Sequence, residues 1–290
     1  MSLIILSDIT PDAWVGPDGT MVITTGMITS VNSEKELMAL MAQEVAHFAL
    51  DHHLTNYNNL LSLGHEPSLG GVIRYNSLQE QEADRCAVSV LELYGESKAA
   101  LASMLRKMLA YGELMGNYYL GSIYGSFPDA ASRAFYKSDT LTYFSTDYER
   151  LIAPVISFNA LLAYNKSQYL LCRRLLERNI ASEEASADDM VLLSKAMMRL
   201  ADSEEEYNNA LSIVRSVTDR MEEAPAEAFK QEALLLLSLK RRSEAESALT
   251  NYEEALAREE QKYNSMPGDW SQMISYLASE REWVTLTRRR

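Results

Sequence analysis

The sequence predicts a mainly α, α+β protein in two domains: a small sheet with its helices at residues 1–148, then an all-helical domain at residues 149–290. Three observations predict it. β-type runs are confined to the opening 30 residues. Helix capping and helical periodicity run almost unbroken from Ser33 onward. After about Arg150, small residues recur at spacings that suit stacked helix pairs. A chain of 290 residues is also long for one core and comfortable for two.

Taken in order, Leu3 to Ser7 and Met21 to Thr25 read as strands, separated by a Gly16-Pro17-Asp18-Gly19 turn and closed by Gly26. Ser33 and Glu36 form a capping box, in which hydroxyl and carboxylate each satisfy an orphan backbone N–H. Ser77 and Glu80 repeat that pattern before a helix that runs to about Tyr94 and stops at Gly95. In the second half Ala160 and Cys172 are 12 apart, Ala196 and Ala210 are 14 apart, and Ala233 and Ala245 are 12 apart. The units recur at 36 and 37 residues by their first small residue. This spacing resembles the tetratricopeptide repeat, whose unit is about 34 residues. The best unit runs from Ala226 to Ala257, and a generic antiparallel bundle is the plainer alternative. A Pro267-Gly268 break precedes an amphipathic segment, Trp270 to Leu286, expected to cap the stack.

Charge narrows the function classes. With 41 acidic residues against 27 basic ones the formal charge is -14, which makes duplex nucleic acid and anionic membrane poor partners. No apolar run approaches the roughly 18 to 20 residues needed to cross a bilayer. Cys86 and Cys172 read as free thiols among apolar neighbours. Met1-Ser2-Leu3 running straight into a strand reads as an engineered start inside a longer protein, any export signal having been removed.

The helix after Ser33 carries the chemistry. Leu37, Leu40, Met41, Val45 and Phe48 form one apolar stripe, and Ala39, Ala42, Ala46 and Ala49 the opposite side, so the helix is expected to be buried all round. Glu44 falls inside the stripe, where a lone carboxylate costs on the order of several kcal/mol unless it finds a cation, a partner or a proton. Gln43 and His47 sit one turn apart on one side, the geometry of H-E-x-x-H, in which two histidines hold zinc and the glutamate takes a proton from water. Here the first histidine is Gln43. Downstream, Glu80 and Asp84 present two carboxylates one turn apart. His52 and His53 lie about 140° and 240° round from His47 if the helix continues, away from that side. His65 stands in a glycine-flanked loop.

Together, Asp12 to Gly19, Ile23-Thr24-Thr25-Gly26-Met27, Gln43 to His47 and Glu80 to Asp84 resemble the zinc metallopeptidase family of HtpX, BepA and the CAAX prenyl endopeptidases. The order and spacing agree over roughly residues 5 to 148. The resemblance implies a zincin-like domain with Glu44 as general base, His47 and Glu80 as zinc ligands, Gln43 at the place of the missing histidine, and Asp84 orienting a ligand. Phe127-Pro128 to Arg133 resembles the family's His-Pro-x-x-x-x-Arg segment, with Arg133 kept as a supporting residue and Phe127 in place of histidine. Two histidines are thus replaced while the residues around them survive. The implied protein is a weakly active or inactive peptidase homologue of the bacterial cell envelope or periplasm, with zinc weak or absent. Its partners would be polypeptides, bound through the cleft and the helical repeats. An active zinc endopeptidase and a structural adaptor are the alternatives.

Overall fold

The computed structural model describes residues 1–115, 141–220 and 224–289. It divides into two compact units, Met1–Asn159 and Ala160–Arg290.

The first unit opens with strands β1 (Ser2–Leu6), β2 (Ala13–Val15) and β3 (Thr20–Thr24), in the order β1-β3-β2. β1 runs parallel to β3, with Ser2 opposite Thr20 and Leu6 opposite Thr24; β2 runs antiparallel, with Trp14 opposite Val22. The turn between β2 and β3 closes through Gly19 N–H to the Gly16 carbonyl at 2.9 Å, and Gly19 takes φ +76°, which glycine adopts without strain. The strand reading overruns here. Thr25 does not extend β3 but begins helix α1 (Thr25–Ser30), because the Thr24 hydroxyl accepts from Met27 N–H and turns the chain. Gly26 is obligatory in that corner: a Cβ there would lie 2.3 Å from the Ile9 carbonyl oxygen.

Helices α2 (Glu34–Ala49), α3 (His52–Ser62), α4 (Leu69–Val72), α5 (Ser77–Leu93), α6 (Ala99–Met115) and α7 (Thr146–Asn165) follow. Ser33 caps α2 through Glu36 N–H, but the returning carboxylate takes the Asn32 N–H at 2.8 Å rather than that of Ser33. Glu36 is fully buried and also accepts from Ser103 Oγ at 2.6 Å and pairs with Lys107 Nζ at 2.6 Å, which ties α2 to α6. At α5 the capping box is made by Asn76 and Gln79, so Ser77 and Glu80 each fall one position inside it. Along α7, the Tyr148 hydroxyl donates to the Ile28 carbonyl at 2.8 Å and Asn159 Nδ2 to Thr29 Oγ1 at 2.9 Å, docking this helix on α1.

The expectation that α2 is buried all round needs correcting. α2 packs against α5, α6 and β2. Its buried face is made by Ala39, Ala42 and Ala46, joined by Leu40, Gln43 and His47, while Val45 is 38% exposed. Small side chains let two helices approach closely, so the alanine side faces the core, while in the larger stripe Leu40 is buried, Leu37, Met41 and Phe48 are half-buried and Val45 turns outward. That close approach brings the polar groups of α2 and α5 within hydrogen-bonding distance.

In the second unit α8 (Tyr169–Ala181), α9 (Ala187–Leu200), α10 (Glu204–Thr218), α11 (Ala226–Ser238), α12 (Arg242–Ser265) and α13 (Ser271–Arg288) pack in series, each against the next. Ala160, Cys172, Ala196, Ala210, Ala233 and Ala245 are all buried at the contacts between helices. Phe229, Leu235, Leu236 and Tyr252 fill the centre of the core. The break at Pro267-Gly268 separates α12 from α13, with Gly268 at φ +123°. Cys86 is half-buried, Cys172 is buried, and both are free thiols. No helix among the described residues is long and apolar enough to cross a membrane.

Candidate functional site

The first unit gathers Gln43, Glu44 and His47 from α2 with Glu80 and Asp84 from α5, all buried. The Gln43 amide nitrogen donates to Glu80 Oε2 at 3.0 Å and to Asp84 Oδ1 at 3.1 Å. An amide NH₂ has two protons, and each goes to one carboxylate. The opposite amide orientation would set its carbonyl oxygen against two acceptors, so the network itself fixes which end faces them. His47 Nε2 comes within 3.6 Å of the same Glu80 oxygen.

His52 joins the cluster, contrary to the expectation from an unbroken helix. α2 ends at Ala49, and Asp51 takes the left-handed conformation at φ 54° before α3 starts. This break redirects the chain and sets His52 Nδ1 3.0 Å from His47 Nδ1, while His52 Nε2 lies 3.2 Å from Glu82 Oε2. Burial, reinforced by His47, lowers the His52 pKa, with Glu82 opposing. One of the two facing Nδ1 atoms donates and the other accepts, so a single shared proton joins the histidines. His53 turns elsewhere and stacks on Phe48 with ring centroids 5.5 Å apart. His65 is exposed beyond Gly64.

Tyr75 is the residue that sequence reasoning missed. Its ring stacks on His47 at 3.9 Å between centroids and 12° between planes, and its hydroxyl is buried without a hydrogen-bond partner among the described residues. Burial, then the charges of Glu44 and Glu80, raise its pKa. The only local signal is its position immediately before Asn76, the cap of α5. Side-chain amides hold this arrangement in place. Gln79 Nε2 donates to Asn56 Oδ1 at 2.9 Å, and Asn56 Nδ2 donates to the carbonyls of Val72 and Arg74 at 3.1 and 2.9 Å. The segment leading to Tyr75 is thereby tied to α3 and α5.

Glu44 Oε2 is buried with no hydrogen-bond partner among the described residues. Burial, then the nearby charges of Glu80 and Asp12, push its pKa well above the usual carboxylate range. A general base must be ionised to act, and burial opposes that charged form here.

Two of the three expected zinc donors converge, since His47 Nε2 and Glu80 Oε2 face one another. The third position does not fit. Gln43 presents N–H donors where zinc needs a lone pair, and those donors already occupy the carboxylates. Among the described residues no group of three or more His, Cys, Asp or Glu side chains is arranged to hold a metal ion. Arg133 and Phe127 lie outside the described residues.

Residues 2–65 match the model of peptidase family M48. The match spans the sheet, α2 with Gln43 to His47, and α3 with His52; it ends before Glu80 and Asp84. It supports a relationship of this region to a family of metallopeptidases that is generally zinc-dependent and acts on polypeptides. No curated protein matches the chain.

Proposed function

We propose that this protein is a metallopeptidase-family homologue with a degenerate zinc site, weakly active or inactive as a peptidase. It binds polypeptide partners through the remnant cleft and through tetratricopeptide-like helical repeats in the second half of the chain, and it works in the bacterial cell envelope. One observation carries the reading: the Gln43 amide donates to both Glu80 and Asp84. A hydrogen-bonded amide joins there the carboxylates that a cation would otherwise join, so the site closes on itself from within the chain. Glu44 lies desolvated beside this link, its pKa raised by burial and by the charges of Glu80 and Asp12.

The test is hydrolysis of casein by protein purified without a histidine tag. The expected result is no chelator-sensitive cleavage above that of a Glu44→Gln variant. Chelator-sensitive cleavage that Glu44→Gln abolishes would overturn the reading in favour of an active zinc endopeptidase. The facing His47 and Glu80 donors are the observation that favours this second reading.

A further inference from the structure

The second unit carries a half-open groove that plays no part in the remnant peptidase site. A cavity of about 430 Å³ lies between α11, α12 and α13, with Leu237, Leu249 and Trp283 among its lining residues and Lys240, Arg242 and Arg288 beside them. Leu249 is buried, Leu237 and Trp283 are half-buried, and the three cations are exposed.

The charges on this rim are unequal in availability. Arg288 is already answered, by Glu246 and by Glu253, each at 2.6 Å. That leaves the groove's carboxylate, Glu246, neutralised as well. Lys240 and Arg242 have no carboxylate partner among the described residues. Lys240 occupies the turn that ends α11, held by its own N–H to the Leu237 carbonyl at 3.0 Å and by Arg241 N–H to the Leu236 carbonyl at 2.9 Å. Both cations therefore rise from a fixed backbone beside an apolar floor. On a chain with a formal charge of -14, this is a local positive field next to a half-buried apolar floor.

We propose that this groove binds an extended polypeptide segment in which a large apolar side chain is flanked by carboxylates. The apolar side chain would enter beside Leu237, Leu249 and Trp283, and the carboxylates would meet Lys240 and Arg242. The volume is of the size that takes one or two side chains, and the open rim suits a segment that enters and leaves the groove. Charge complementarity selects the occupant: a basic segment would meet two unanswered cations, whereas an acidic one satisfies them. The proposal rests on the reading that this chain binds polypeptides.

The experiment uses the full chain and a fluorescein-labelled dodecapeptide with one Phe and one Leu flanked by four aspartates, read by fluorescence anisotropy. The same peptide with lysine for aspartate is the comparison. The acidic peptide is expected to bind at least about tenfold more tightly, and Lys240→Glu/Arg242→Glu to weaken it by about tenfold. Both substituted residues are exposed, so the fold should be retained. The same reversal at exposed Arg174 and Lys262 should change the affinity by less than about twofold. Equal loss from the two double variants would overturn the proposal, since it would mean general charge attraction. A reduced, carboxymethylated unfolded protein serves as a second probe. If it binds wild type and the Lys240/Arg242 variant alike while the acidic peptide binds neither, the polypeptide-binding reading stands and the groove assignment fails. If neither probe binds wild type, both fail.

Discussion

Gln43 Nε2 stands 3.0 Å from Glu80 Oε2, and this contact joins α2 to α5 at the centre of the candidate site. The second amide proton reaches Asp84 at 3.1 Å, so one neutral side chain serves two buried carboxylates. Removing it would leave those carboxylates facing each other across a hole.

Gln43→Ala should therefore destabilise the protein by about 1–3 kcal/mol, the range for removing one hydrogen-bond partner from buried polar groups. Urea unfolding at pH 7 reads the change directly. A variant as stable as wild type would show that the amide contributes nothing to holding α2 against α5.

The second unit contains a part-buried link of the same kind. The Tyr252 hydroxyl donates to Glu280 at 2.6 Å, and Lys230 Nζ lies 2.5 Å from the same oxygen. Burial raises the Glu280 pKa, but the bonds from Lys230 and Tyr252 outweigh it and the result is lowered from 4.5. A carboxylate whose folded pKa is depressed stabilises above its unfolded value, and that contribution is lost as pH falls through the folded one. Glu280→Gln should thus cost stability at pH 7 and flatten the loss of stability below about pH 4.5. Urea titrations of both proteins from pH 7 to pH 3 check the sign; parallel curves would contradict it.

The two thiols should differ in reactivity. Burial, then the charge of Asp189, pushes the Cys172 thiol up to about 12, so it stays protonated at pH 8. Cys86 is only half-buried. Iodoacetamide under native conditions should modify Cys86 first and leave Cys172 unmodified until urea is added, as peptide mass mapping would record. Equal native labelling of the two would contradict the buried placement of Cys172.

Much of the fold was legible in local signals. The β-turn with its glycine, the Ser33 cap and the stop at Gly95 are short-range features, and each appears near its expected place. What could not be read depends on tertiary direction. A helical wheel assigns sides but not which side packs, so both sides of α2 were expected to be buried, whereas Ala39, Ala42 and Ala46 are enclosed and Val45 is exposed. Continuing the helix past Ala49 sent His52 to the wrong side, because Asp51 carries no glycine signal for its left-handed turn. Tyr75 comes from a segment with no regular pattern, and only the folded chain lays it on His47. The roles of Glu44, His47, Glu80 and Asp84 came from family resemblance, and their convergence required two helices to pack.

Whether Gln43 closes the site in place of a metal ligand is decided by zinc titration. Tag-free wild type and Gln43→His, both dialysed against chelator and then buffer, would be titrated with zinc by calorimetry at pH 7. Wild type should bind weakly or undetectably and Gln43→His at least about tenfold more tightly, its imidazole supplying the missing lone pair beside His47 and Glu80. Tight one-to-one zinc binding by wild type, lost in Gln43→Ala, would contradict this closure.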